Sequence, residues 1–361
     1  MPNSADHFDG DFAPHSRHKH LIFKSYFEAW VRKLTLRPEG GDRLCVVDAC
    51  AGAGHDAAGN PGSPLIAARA AKAAVEQFRK QFQRDVRVEV IAIESEAKHF
   101  RELAAYLSTF PDNVRPIHGT LEQYQDELEA DLGETPTLFF LDPFGLAPLK
   151  AQVILRALDG PKNEVFLLFA DQAALRHFGA IQTQETQTMR RLREHTERPP
   201  SFFPDMDEQE RQPLIEKAAK SEAALEMTRE KAIEILDSAF GGLEWLVDIE
   251  NTLHPKRREA FLTLYRRFLT ESGATRVLEI PMLNEDGVRV YSLIHATKSA
   301  NGYATMKEAV CYALRNSPLP PDVVSRMTDT IRVELGPVVT MIKTRFAGQR
   351  VRWAEDKEDK A

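Results

Sequence analysis

The chain has 361 residues, 43% hydrophobic and 28% charged, an ordinary globular composition with room for one large domain with insertions or two small ones. No window approaches the roughly 18 uninterrupted apolar residues of a membrane helix, Met1–Gly10 lacks the apolar core of a secretion signal, and Cys45, Cys50 and Cys311 make neither a disulfide framework nor a CxxC metal pair, so a reducing, cytoplasmic setting without a membrane is expected. With 47 basic against 54 acidic side chains the net charge is −7, which argues against a strongly basic nucleic-acid binder but leaves room for a local patch.

Apolar positions at helical spacing (Leu21, Ile22, Tyr26, Phe27, Trp30, Val31, Leu34) predict a helix over about 17–34, ended by Pro38 and Gly40–Gly41. The run RLCVVDA reads as a buried parallel strand. A glycine-rich loop follows, then an alanine-rich helix from about Ser63 to Phe82. VRVEVIAIE is a second strand with a helix near Glu96–Ser108 behind it. Val114–His118 is a third, followed by a helix carrying Leu121, Tyr124 and Leu128. TLFFLD is a fourth, with a helix near Leu149–Leu158, and EVFLLFA is the fifth. Such alternation predicts a doubly wound, Rossmann-like α/β sheet covered on both faces.

The alternation stops after Ala170. Residues about 180–245 are charged and helical, and read as an insertion. A helix over about Pro255–Leu269 leads into TRVLEIPML and VRVYSLIHA, an antiparallel hairpin turning at Asn284–Gly287. The expected organisation is an N-terminal helical segment over 1–42, the α/β domain over 43–300 with its insertion, and a C-terminal helical extension over 301–361. Arg190, Arg191 and Arg193 form one basic candidate stretch. Lys256, Arg257, Arg258, Arg266 and Arg267 form another. Solvated helix faces are the plainer reading of both.

Three places carry chemistry. The first is Asp48-Ala49-Cys50-Ala51-Gly52-Ala53-Gly54, where glycines let the backbone approach a ligand closely. The spacing is not GxGxxG, and the next helix waits until Ser63, so no helix N-terminus lies directly under a pyrophosphate. That disfavours a nicotinamide cofactor and suits a nucleoside with a methionine tail; otherwise the loop is a tight turn. The second is Glu94 at the end of strand two, a carboxylate able to accept both ribose hydroxyls, or else a helix-capping acid. The third is Asp142-Pro143-Phe144-Gly145 after strand four. There the Asp142 carboxylate and the Pro143 carbonyl can accept the N–H bonds of a conjugated amine and turn its lone pair toward an electrophile. Phe144 can stack on a base. The alternative is an Asp-Pro turn. Lys19 can reach the mouth of such a site, or lie on a solvated face with His18 and His20, which do not share a helix face. His195, His254 and His295 are scattered and suggest no metal site.

The segments HKHLIFKSYFEAW, VVDACAGAG, GSPLIAARAA, TLFFLDPFG and YSLIHATKSANGYATM, in this order over about His15–Met306, resemble the three-Cys-motif partner proteins. These are class I methyltransferase-like proteins of bacteria, often encoded beside a protein with a three-cysteine, radical-SAM-like motif. The resemblance implies S-adenosyl-L-methionine as cofactor, transfer to an exocyclic amine of a DNA or RNA base, and that three-Cys-motif protein as partner. It implies a cofactor loop of Asp48, Ala49, Ala51, Gly52 and Gly54, a GSP element at Gly62, Ser63 and Pro64, Glu94 as ribose acid, and Asp142, Pro143 and Phe144 as the reaction corner. The chain departs from the pattern at Gly119–Thr120, where many class I enzymes carry an acid facing adenine, and at Cys50, where an aromatic is common. A non-catalytic partner that keeps this fold is the alternative.

Overall fold

The computed structural model describes residues 11–36, 42–110, 113–182, 228–242 and 244–328. Arg190, Arg191, Arg193 and His195, most of the expected insertion, the Pro38 and Gly40–Gly41 breakers and the chain beyond 328 lie outside the described residues.

The elements are α1 (Pro14–Thr35), β1 (Arg43–Asp48), α2 (Ser63–Phe82), β2 (Arg87–Glu94), α3 (Ala97–Leu107), β3 (Val114–His118), α4 (Leu121–Leu132), β4 (Thr137–Leu141), α5 (Ala151–Asp159), β5 (Glu164–Phe169) and α6 (Asp171–Gln182). Helical residues 228–240 (α7), α8 (Glu244–Glu250), α9 (Arg257–Glu271), β6 (Arg276–Leu283), β7 (Arg289–Thr297) and α10 (Ala300–Arg315) follow. The strands form one sheet in the order β3-β2-β1-β4-β5-β7-β6. The first five are parallel, and β7 runs antiparallel to both β5 and β6. This is a doubly wound, Rossmann-like sheet closed on one edge by an antiparallel hairpin. The winding reverses between β1 and β4, and the crevice outside the carboxyl ends of these two strands is where such sheets bind ligands.

The strands read as continuous apolar runs because both faces are buried. Leu44 and Val46 of β1, Phe140 of β4 and Phe166 of β5 belong to one core with α1, α2 and α10. Cys45, Val47, Phe139, Leu141 and Phe169 belong to the other, with α4, α5, α6, α8 and α9. Each fully buried Phe or Leu contributes about 1.5–3 kcal/mol, so the two layers dominate stability.

One helix matters for the site. Phe23 of α1 stacks on Phe140 of β4, centroids 4.4 Å apart, and Phe140 meets Phe166 at 5.5 Å. Residues four apart share a helix face. Lys19, one turn before Phe23, is therefore carried over the exit of β4, where Asp142 lies two residues beyond Phe140. The segments marked off at 1–42 and 301–361 are joined through the core, since α1 and α10 pack on each other and on the sheet.

Two local expectations differ from the structure. The helix expected near Leu149–Leu158 starts at Ala151, because Leu146–Leu149 closes a turn of its own, with Leu149 N–H donating to Leu146 O at 2.9 Å. The start of α2 is late in sequence but not remote in space. Residues 55–61 form a pinched excursion, closed by the His55–Pro61 bridge and by Gly62 N–H on Gly54 O at 2.7 Å. The helix N-terminus thus returns to the glycine loop, and the expectation of a helix displaced from it is corrected.

Candidate functional site

The exits of β1, β2 and β4 converge. Gly52 N–H donates to Glu94 Oε2 at 2.8 Å, and Glu96 N–H to Glu94 Oε1 at 2.7 Å. Ala51 N–H meets Ile93 O and Ala49 N–H meets Phe140 O, both at 2.9 Å. The loop is therefore sewn to the strands on either side of it. Gly52 (φ 60°) and Gly54 (φ 84°) are left-handed, a conformation that favours glycine. A Cβ on Gly62 would lie 3.0 Å from the Gly54 carbonyl oxygen, so the return of the chain needs glycine there as well.

Two cavities open from this junction. The first, about 480 Å³, is lined by Ala49, Gly52, Glu94, Thr120, Asp142 and Phe144 among others. The second, about 570 Å³, is lined by Lys19, His20, Gly54, Ser63, Asp142 and Tyr291 among others. Cys50, Gly52 and Asp142-Pro143-Phe144 border both. Phe144 is 59% exposed and Gly145 has φ 87°, so the corner turns its aromatic ring outward at the junction.

The electrostatics are acidic at the floor. Asp48 is fully buried, and that burial pushes its carboxyl up to about 7, against the pull of the facing Ser63 hydroxyl. Its Oδ2 is out of water with no hydrogen-bond partner among the described residues, and Asp48, expected on the cofactor wall, borders neither cavity. Burial also pushes the Cys50 thiol well above its ordinary range, with Asp48 and Asp142 adding to it, so Cys50 is a neutral thiol.

Lys19 corrects the solvated-face reading. Its side chain is buried and pairs with Asp142 Oδ2, and its ammonium lies 5.9 Å from the centroid of the Tyr291 ring. The neighbouring histidines are buried too. Desolvation lowers His18 to about 4 and His20 to about 3, so both are neutral at pH 7. Tyr291 was not singled out by sequence. It lines the second cavity, its hydroxyl is buried without a partner among the described residues, and burial, then Asp142, pushes its pKa well above the ordinary tyrosine value and keeps it neutral.

Thr120 lines the first cavity, but its hydroxyl is used by the helix. It accepts from Gln123 N–H at 3.4 Å, and Thr120 N–H donates to Gln123 Oε1 at 2.8 Å, a capping box. Asp56 is a further residue that sequence reading passed over. It accepts from Asn60 N–H at 2.7 Å and from Phe12 N–H at 2.9 Å, tying the chain before α1 to the pinched excursion. An aspartate four residues before Asn60 in a loop with Gly59 was the available signal.

The basic stretch on and before α9 is largely neutralised. Arg258 faces Asp171, Arg266 pairs with Glu279 at 3.3 Å and Arg267 with Asp248 at 3.2 Å. Arg257 sits on the Phe178 ring. Among the described residues no His, Cys, Asp and Glu cluster could hold a metal ion, and no helix is long and apolar enough to cross a membrane.

No family model matches the chain, and no curated protein matches it. Among solved structures, the CcbJ methyltransferase from Streptomyces caelestis is 17% identical over 43% of this chain and 55% of its own, with a TM-score of 0.26. The chain thus spans about half the length of that relative. The cyclopropane synthase MmaA2 from Mycobacterium tuberculosis is 12% identical over 75% of this chain and 81% of its own, with a TM-score of 0.24. Similarities this low carry no argument about activity. The fold stands on the strand order, and none of these comparisons supports the three-Cys-motif family.

Proposed function

We propose that the chain is an S-adenosylmethionine-dependent methyltransferase acting on an exocyclic amine of a nucleic-acid base. The observation that carries this is the convergence of Gly52, Glu94 and Asp142 on two joined cavities. The residues present fit the cofactor. The left-handed Gly52 and Gly54 bring bare backbone to the cavity walls, and Ala49, Cys50 and Ser63 border the same space. Glu94 keeps lone pairs beyond those given to Gly52 and Glu96, enough for ribose hydroxyls. Acids around a cationic ligand also favour it electrostatically.

When bound, the cofactor supplies a methyl group on a positively charged sulfur. The residues do the rest by position and charge. Asp142 and the Pro143 carbonyl take the amine N–H bonds, and Phe144 stacks on the base. Held so, the amine lone pair would face the methyl group that the cofactor would supply. The proton the nitrogen then sheds goes to Asp142 or to water. The motif resemblance supports the three-Cys-motif protein as partner. The three free cysteines, among the described residues, suit a reducing cytoplasm.

Calorimetry with S-adenosylmethionine and S-adenosylhomocysteine, on the wild type and Asp142→Asn, tests this. Both proteins should bind both ligands. Asp142→Asn should lose about 10²–10³-fold in methyl transfer, the scale of one misplaced charge-stabilising group. No binding by the wild type sinks the reading.

A further inference from the structure

A buried ion pair is weak ground for stability, because desolvation offsets most of the attraction. Lys19 and Asp142 nevertheless form one, with side chains only 8% and 17% exposed, on the wall of the second cavity. Their geometry leaves much unused. Lys19 gives one of its three N–H donors to Asp142 Oδ2. Among the described residues no hydrogen bond takes Asp142 Oδ1. Lys19 is also held in place: Phe23 anchors its helix on Phe140, and the Tyr291 ring stands beside the ammonium. The pair thus presents a fixed edge, with an acceptor (Oδ1) beside a donor (Nζ).

We infer that this edge selects the acceptor. Asp142 Oδ1 takes an N–H of the exocyclic amine while the Lys19 ammonium donates to the ring nitrogen next to it. The substrate is then an amino-substituted heterocycle with an unprotonated ring nitrogen beside the amine, the pattern of N6 and N1 in adenine and of N4 and N3 in cytosine. Guanine fits poorly. Its amine has a ring N–H on one side and, on the other, a ring nitrogen crowded by the sugar. A site that hydrogen-bonds a substrate atom rejects analogues lacking it, because its own buried groups are left unpaired. Reading that edge requires the base to leave the stack or be single-stranded. This assignment rests on the methyltransferase reading and makes Lys19 a specificity-determining residue for it.

The test uses the wild-type protein saturated with S-adenosylhomocysteine. Short single-stranded DNA and RNA probes carry one adenine, one 1-deazaadenine or one 7-deazaadenine, and binding is read by fluorescence anisotropy. A second set compares cytosine with 3-deazacytosine. Removing the ring nitrogen beside the amine should weaken binding roughly ten- to hundredfold in at least one set, the worth of a hydrogen bond from a charged donor. If adenine is the base selected, 7-deazaadenine should bind like adenine. The DNA and RNA arms identify the source of the base. Lys19→Met should bind the base and its deaza analogue alike, with S-adenosylhomocysteine affinity kept within about threefold. Equal wild-type binding of base and analogue in both sets, or of every probe regardless of base, overturns the inference and leaves the cofactor reading intact. A tenfold or greater loss of S-adenosylhomocysteine binding in a folded Lys19→Met protein also overturns it, assigning Lys19 to the carboxylate of the methionine tail. Failure of the wild type to bind S-adenosylhomocysteine removes the reading beneath it.

Discussion

The two cavities meet at Asp142 but are built differently. The glycine loop between them and the Glu94 side are made of backbone: Gly52 N–H and Glu96 N–H on the carboxylate, left-handed Gly52 and Gly54, and the closure of Gly62 on Gly54 at the edge of the Lys19 cavity. The far wall of the Lys19 cavity is made of side chains from distant parts of the chain. Lys19 reaches an acid 123 residues away, beside a tyrosine of β7. A doubly wound sheet produces the first kind of wall from local rules, since every parallel strand must turn at its carboxyl end. The second kind depends on which helix happens to cover the crevice. Cofactor recognition can therefore be common to such folds while acceptor choice differs from one to another.

The strongest way to break this contrast is at the backbone side. Gly62→Val pushes a Cβ against the Gly54 carbonyl, where no flexible side chain can yield. The strain should cost about 1–3 kcal/mol and cut S-adenosylhomocysteine affinity roughly ten- to hundredfold, measured by calorimetry. Unchanged affinity would mean that the cofactor does not use this loop.

A smaller effect is read by pH. Burial raises Asp48 to about 7, and since Asp48 borders neither cavity, the effect falls on stability. Asp48→Asn should flatten the pH profile of stability. A carboxyl raised above its unfolded value adds stability fully present below the unfolded range, about 3.9, and lost as pH rises through 7. Thermal melts across that window check it.

The smallest effect concerns the outlying arginines. Arg267 and Asp248 are an exposed pair, and Arg267→Ala should change stability by less than about 1 kcal/mol. It should also leave the salt dependence of nucleic-acid binding unaltered, since the pair is already neutralised. A shallower salt slope in the variant would bring α9 into the interface.

The sheet was legible because its physics is local. Continuous apolar runs marked β1, β4 and β5 as strands buried on both faces, and Glu94 stood out as an acid closing such a run. Lys19 was not legible in the same way. A lysine between two histidines has the appearance of a wetted face, and what buries it is contact with residues beyond position 139. The delayed start of α2 misled for a related reason: distance along the chain was read as distance in space, and the pinch at Gly54 and Gly62 removes it. At Thr120 the missing acid was visible, but the capping box that employs the residue appears only with the geometry of α4.

The position of α1 has a consequence for how the chain is made. Synthesis delivers this helix before β4, carrying a lysine and two histidines that end up shielded from water, with no strand yet present to receive them. Until β4 has emerged, those groups remain hydrated and the helix lacks its seat on that strand. The Lys19 wall is thus finished by a segment made before β4 and docked after it, while the glycine loop can take shape as soon as β1 and β2 pair.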